Sequence, residues 1–312
     1  MKAQAQQKVI KLNSLLVAEW EAWNGFLISA LVEETCRQHT VIDTPPDHIE
    51  LSFDRIHAFL WQINLSESKF FPKARIEIEQ RLESQGIAIL NKGFTDITKH
   101  SLQDLLVNYQ LLSTRLNVPT AKNNLVIVKS TLNWGGELEA RLTAEQQAEY
   151  GISQFVGPIQ GHADYLILHE SDVPDIVWET ETLIVERFIL NDEDSFYRAY
   201  CAGSAVVLVK AHAPEPIKKI AGDPRDTNDL LRFDGQTLCG NTAHLPSKLI
   251  TMIEAFMELS QLDFFCLDIV HDDDSFYIVD LNLTPWLGEA LPTPKILEFM
   301  VKGLRDKYPK LV

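Results

Sequence analysis

The chain has 312 residues, 46% apolar, 23% charged and 9% aromatic, an ordinary globular composition that excludes fibrous and extensively disordered classes. Its formal net charge of −16 disfavours non-specific attachment to nucleic acid or to anionic membrane. No run approaches about 18 uninterrupted apolar residues, so no membrane span is expected. In chain order, residues 8–17 are a candidate strand. Residues 19–38 carry an amphipathic helical pattern through Trp20, Trp23, Phe26, Leu27, Ala30, Leu31 and Glu34. A short strand over 40–43 stops at Pro45-Pro46, and 55–63 is a strongly apolar strand. Residues 72–85 read as helix and 86–91 as strand. Strands alternating with helices predict a small parallel α/β domain over residues 1–95.

A second unit, residues 96–190, opens with a helix over 95–108 whose apolar face is marked by Leu102, Leu105, Leu106 and Val107. A strand over 125–132 ends in Asn133-Trp134-Gly135-Gly136. A short helix over 143–148 follows, then strands over 165–168 and 182–190. The third unit, residues 191–312, has a strand over 204–212, a helix over 246–258, two strands over 264–270 and 276–283, and a last helix over 295–307. The overall class is α/β with α+β character. No internal repeat is visible.

The most informative stretch is FFCLDIVHDDDSFYIVDLNLTPWLGE, residues 264–289. Two β-rich runs flank an acidic turn, which predicts a hairpin. Alternation places Asp280 and Asn282 on one face of the second strand, with Tyr277, Val279 and Leu281 on the other. Folding about residue 274 sets Asp268 opposite Asp280. Like charges across a ladder are unfavourable, and oxygen donors in this arrangement suit magnesium, whose shell substrate phosphates and water would finish. The alternative is a solvated hairpin with its acids in water.

Three further features have chemistry to offer. Lys129 sits on an apolar strand just before the glycine pair, where it can reach phosphate oxygens while turn amides cover them; the alternative is a strand-end lysine before a tight turn. Glu186 and Arg187 lie within an apolar strand and need partners, as a hinge between lobes or as an edge-strand ion pair. Lys218, Lys219 and Arg225 form a basic segment able to grip phosphate or carboxylate, or simply a solvated loop. The four cysteines, Cys36, Cys201, Cys239 and Cys266, form no CxxC, so reduced thiols in a cytoplasmic protein are expected. The opening MKAQAQQKVIKLN lacks an apolar signal core. HExxH, GxSxG and P-loop patterns do not occur, which removes support for a zinc hydrolase, a serine hydrolase or a P-loop NTPase.

The order of these pieces resembles the ATP-grasp superfamily: Lys99 before a helix, Lys129 on a strand, a glycine loop, Glu186 closing a strand, and a final D…DxNxTP hairpin. The resemblance spans roughly residues 95–290, over which the chain is similar to the ribosomal-protein glutamate ligases and the D-alanine–D-alanine ligases. It implies two lobes gripping ATP behind a small N-terminal domain. Lys99 and Lys129 would meet ATP phosphates or the adenine edge, with Lys218 or Lys219 sharing the phosphate charge. Asn133, Gly135 and Gly136 would close over the phosphates. Glu186 with the backbone of Arg187, Phe188 and Ile189 would form the adenine hinge, and Glu193 would bond the ribose. Asp268, Asp280 and Asn282 would hold Mg2+. The sequence departs from the family in a shorter Lys99-to-Lys129 spacing, in NWGG as the phosphate loop, and in the absence of an arginine just before Asp268, which leaves the catalytic role of stabilising the tetrahedral oxyanion to Arg198 or Arg225.

The resemblance implies an ATP-dependent carboxylate–amine ligase acting on small-molecule or peptide substrates, with an acyl phosphate on the way. A small-molecule kinase and a silent nucleotide-binding regulator are the alternatives. No nucleic-acid or membrane partner is implied; many relatives are dimers, which makes a homodimer an expectation.

Overall fold

The computed structural model describes residues 11–12, 15–19, 40–42, 58–62, 72–94, 96–120, 122–136, 139–140, 143–149, 159, 164–191, 193–212, 216–217, 231–233, 238–239, 245–285 and 294–309. The first sheet is built from β1 (Lys11–Leu12), β2 (Leu15–Glu19), β3 (Thr40–Ile42), β4 (Ala58–Gln62) and β5 (Ala88–Leu90). β1 and β2 are antiparallel, while β2 runs parallel to β3 and β4, and β4 parallel to β5. The parallel α/β expectation for this end of the chain therefore holds, with an antiparallel hairpin added. Phe59, Leu60 and Leu90 are fully buried, as both-face coverage of a parallel sheet requires. Helix α1 (Pro72–Ser84) stops at Gly86, whose φ of +73° lets the Gly86 amide turn back to the Glu83 carbonyl at 2.8 Å. The helical pattern over 19–38 lies outside the described residues.

Asn91 links this sheet to the rest. Its side-chain oxygen accepts from the Asp263 and Phe264 amides at 2.8 and 3.0 Å, and its own amide donates to the Asp263 carboxylate at 2.8 Å.

Helix α2 (Lys99–Asn108) follows, capped by the Thr98 hydroxyl, which accepts from the Ser101 amide. Beyond it lies an antiparallel sheet of β6 (Arg115–Leu116), β7 (Leu125–Ser130), β8 (Leu166–His169) and β9 (Leu183–Arg187), in the order β6-β9-β7-β8. Two short helices, α3 (Ala144–Glu149) and α4 (Asp175–Glu179), accompany it. Val126, Val128, Leu183 and Val185 pack one face, so alternation sends Ile127, Lys129 and Glu186 to the other.

The third sheet is antiparallel and six-stranded: β10 (Ser195–Ala202), β11 (Ala205–His212), β12 (Leu231–Phe233), β13 (Leu238–Cys239), β14 (Phe264–His271) and β15 (Phe276–Asn282), in the order β13-β12-β11-β10-β14-β15. Helix α5 (Ser247–Ser260) covers one face through Leu249, Ile253 and Phe256. Helix α6 (Pro294–Lys307) meets the β10–β11 turn backbone to backbone: a Cβ on Gly203 would lie 2.1 Å from the Gly303 carbonyl oxygen. Leu102 and Leu106 of α2 join this same core, so α2 is packed into the six-stranded sheet while its polar face looks toward the four-stranded one. Val107, expected on the apolar face, is 60% exposed; only the i, i+4 pair Leu102 and Leu106 turns inward.

Candidate functional site

A cleft opens between the two antiparallel sheets. The four-stranded sheet contributes Ile127, Lys129 and Glu186, continued by Arg187, Phe188 and Ile189. The six-stranded sheet contributes Asp268, Val270, Val279 and Asp280, and Lys99 and Tyr165 also line it.

The acidic hairpin pairs as its sequence suggests, with Asp268 directly opposite Asp280. The next pair is Ile269 with Ile278, so a bulge falls at Val279. An extra residue breaks alternation. Ile278 and Leu281, three apart, therefore both reach the same core, and Val279 and Asp280, neighbours in sequence, both line the cleft. The alternation that sends Val279 to the far face is thus corrected by the bulge, which keeps Asp280 aimed into the cleft.

The two carboxylates have unlike surroundings. Arg198 on β10 is the ladder partner of Asp268 and grips it with both arms, Nε to Oδ1 at 2.5 Å and Nη2 to Oδ2 at 2.8 Å. Burial works most strongly against the Arg198 charge, but the Asp268 carboxylate, its hydrogen bond, and the neighbouring Cys266 and Tyr200 together hold the guanidinium pKa well above its usual value. By contrast, the buried Asp280 Oδ1 has no hydrogen-bond partner among the described residues. Asn282, two residues on, turns its side-chain oxygen to the Thr284 amide and hydroxyl at 2.9 and 3.0 Å. Among the described residues no three His, Cys, Asp or Glu side chains converge as a metal cluster. Two carboxylates and an amide oxygen are all oxygen donors, and among the described residues the Asp280 oxygen has no positive partner. That set fits a magnesium ion whose remaining positions go to phosphate and water.

The opposite wall carries a buried ion pair between Lys129 and Glu186, which are 6% and 1% exposed. They sit diagonally across β7 and β9, where Ile127 faces Glu186 and Lys129 faces Ile184. The second Glu186 oxygen accepts from Gln103 at 2.8 Å and from the Thr114 hydroxyl at 2.7 Å. Glu186 is therefore engaged with protein groups, and it orients Lys129. The Lys99 ammonium donates to the Leu132 carbonyl at 2.7 Å, at the base of the 3₁₀ turn Asn133–Gly136. Gly135 and Gly136 both have positive φ, +70° and +78°, and a Cβ on Gly136 would press on Leu132 at 2.8 Å. Along the expected hinge, the Arg187 amide donates to the Thr114 carbonyl at 2.7 Å and the Phe188 amide to the Leu125 carbonyl at 2.9 Å. A base-edge contact from this segment therefore falls to its carbonyls or to the Ile189 amide.

Glu193 is not in the cleft. It is exposed, ion-paired with Lys210 at 2.7 Å, and lines a separate pocket with Tyr197 and His271. Lys218, Lys219 and Arg225 lie outside the described residues. Gln103, Thr114 and Tyr165 are site neighbours that sequence reasoning missed. Only for Tyr165, an aromatic opening an apolar run, was there a local signal. Burial raises the Tyr165 pKa above its usual value, so its hydroxyl stays protonated.

No family model and no curated protein matches the chain. Solved structures do. The ATP-grasp ligase PsnB, complexed with a minimal precursor, Mg and ADP, aligns at a TM-score of 0.53 with 12% identity, covering 95% of this chain and 99% of that one. A RiPP-associated ATP-grasp ligase of Chryseobacterium gregarium, in complex with ADP and a leader and core peptide, aligns at 0.52 with 12% identity, over 95% and 98% of the two chains. The D-alanine–D-alanine ligase of Bacillus anthracis aligns at 0.50 with 11% identity, over 96% and 98%. At these identities the likeness is one of fold.

Proposed function

We propose that this chain, which has the ATP-grasp fold, is an ATP-dependent ligase that activates a carboxylate as an acyl phosphate and passes it to an amine. The observation that carries the reading is the cleft itself. Lys99 and Lys129 line it from one side, and Asp268 and the unpartnered oxygen of Asp280 face them from the other. The solved ligases of this fold with ADP, Mg or a peptide in their complexes support the reading by analogy.

Phosphoryl transfer needs alignment and charge neutralisation more than covalent help from the protein. Asp268, Asp280 and Asn282 would hold the magnesium ion, which when bound neutralises charge on the phosphate oxygens. Arg198 would keep Asp268 fixed in direction. Lys129, held by Glu186, and Lys99, at the base of the glycine turn, would face the remaining phosphate charge. The Ile189 amide and the neighbouring carbonyls would meet the base edge. In the first step a substrate carboxylate oxygen attacks the γ-phosphorus and the bond to the bridging oxygen breaks, releasing ADP. In the second, an amine nitrogen attacks the acyl carbon, the carbon–oxygen bond breaks, and phosphate leaves with that oxygen while the amine proton passes to solvent. Water must be kept out between the steps, a task for closure of the two sheets on each other.

Pools of small carboxylates, amines and peptides presented with Mg·ATP test the reading. ADP and phosphate released only when both acceptor types are present support it. With an 18O-labelled carboxylate, one label must appear in the phosphate. A stable phosphorylated product in the absence of amine would instead assign a kinase. The self-paired charges Lys129–Glu186 and Arg198–Asp268 favour one second reading, a regulator that binds nucleotide without turnover. Tight ATP binding with no ADP formed across the whole panel would assign it.

A further inference from the structure

We propose that Gln103 is a positioning residue that couples the nucleotide end of the cleft to its metal end, an inference that rests on the nucleotide–metal reading above. Gln103 is fully buried on the polar face of α2. A side-chain amide offers two N–H donors and an oxygen with two lone pairs. All are directed at named groups. Nε2 donates to Glu186 Oε1 at 2.8 Å and points at the Ile278 carbonyl at 3.4 Å. Oε1 accepts from the Ser113 hydroxyl at 2.7 Å and the Thr114 amide at 3.0 Å.

These partners belong to both walls. Glu186 holds Lys129 on the four-stranded sheet, and Thr114 leads into β6 of the same sheet and also bonds Glu186. Ile278 belongs to β15 of the six-stranded sheet, and its carbonyl lies in the peptide leading into the Val279 bulge that aims Asp280. One side chain thus touches the residue that orients the phosphate lysine and the backbone that orients the metal carboxylate.

The bond lengths are unequal in a useful way. The Glu186 bond is at full strength, while the Ile278 contact is some tenths of an ångström longer than the usual 2.9–3.0 Å. The Ile278 contact lies within the six-stranded sheet and α2, so movement of the two sheets relative to each other is felt at the Glu186 bond. Leu102 and Leu106 anchor α2 in the core of the six-stranded sheet, so the helix itself supplies a firm base for the contact. An apolar residue would fill this space equally well, but only an amide both donates to Glu186 and Ile278 and accepts from Ser113 and Thr114.

The test is the affinity for a non-hydrolysable ATP analogue with and without Mg2+, by titration calorimetry on the full chain. The wild type is expected to bind more tightly with Mg2+, by a factor within the 5- to 150-fold typical of coupled sites. Gln103→Met keeps the volume and removes every hydrogen bond; it should bring that ratio down about fivefold or more. Leu102→Ala, on the apolar side of the same helix, should lower the melting temperature and leave the ratio unchanged, which separates coupling from loss of packing. If Gln103→Met does not fold, Ser113→Ala removes one bond to Gln103 and must move the ratio in the same direction. A variant that binds with the wild-type ratio overturns the inference alone, whereas a wild-type ratio near one overturns the metal site and this inference with it. A wild type that binds no nucleotide overturns the underlying reading, and this inference with it.

Discussion

Asp280→Asn is expected to stabilise the protein while abolishing its response to magnesium. Asp280 Oδ1 is buried without a partner among the described residues, and its carboxylate stands across the ladder from Asp268. Leaving a buried acceptor unsatisfied costs about 1–3 kcal/mol, and more when it is charged. Arg198 already neutralises Asp268 through two bonds, so cross-strand repulsion adds only part of that. An asparagine removes the charge and offers an N–H to Asp268. The ligand-free variant should therefore gain about 1–3 kcal/mol, read as a rise in melting midpoint on the order of 2–6 °C for a chain of this size. Saturating Mg·ATP, at about 100 times its dissociation constant, should stabilise the wild type by roughly 2.7 kcal/mol. The variant should lose the magnesium-dependent share of that shift. The variant thus melts higher than the wild type without ligand, and its lead shrinks when Mg·ATP is added. A variant that melts lower than wild type without ligand, or keeps the magnesium-dependent shift, refutes the reasoning.

Three other perturbations follow from the same geometry. Lys129→Met strands the buried Glu186 carboxylate and should cost about 3–5 kcal/mol, with weaker ATP binding; adding Glu186→Gln should restore stability in urea unfolding but not nucleotide affinity. Arg198→Lys keeps the charge yet loses the two-armed grip on Asp268, so the concentration of Mg2+ needed for half-maximal nucleotide binding should rise about tenfold, or 1.4 kcal/mol; an unchanged requirement would detach Arg198 from the metal end. His100, bonded to the Leu183 carbonyl at 3.0 Å, has its pKa lowered chiefly by burial and next by Arg115. Below the unfolded value of about 6.5 the unfolded chain takes up a proton that the folded chain refuses, so stability falls as pH drops from there toward the lowered folded value. Urea midpoints at pH 7.5 and 5.5 should differ less in His100→Gln than in wild type; equal pH dependence would remove His100 from the account.

The acidic hairpin was legible because three signals agreed: β-rich runs, an acidic turn, and carboxylates symmetric about residue 274. The bulge was not, since Val279 is as apolar as its neighbours and nothing local marks an extra residue. Strand β10 escaped a reading tuned to aliphatic runs, because SFYRAYCA follows an acidic loop and mixes aromatics with arginine. Its signal was the Gly203-Ser204 pair between two apolar-rich stretches, a two-residue hairpin turn with Gly203 at φ +59°. Missing that strand hid the pairing that sets Arg198 on Asp268. The strand expected over 182–190 ends at Arg187, because Phe188 to Leu190 leave the ladder where the cleft begins. Gln103 was invisible for a different reason. A glutamine between leucines on an amphipathic helix reads as solvated surface, and only the approach of two sheets makes it interior.

The most direct test of the central claim replaces Mg2+ with Mn2+ and follows the free-ion signal by electron paramagnetic resonance as an ATP analogue is added. In the wild type the free-ion signal should fall below that of Mn2+ with the analogue alone, through one site per chain, and Asp280→Asn should abolish that further loss. Equal Mn2+ binding by wild type and variant, or none by the wild type with nucleotide present, would contradict a metal site on this hairpin.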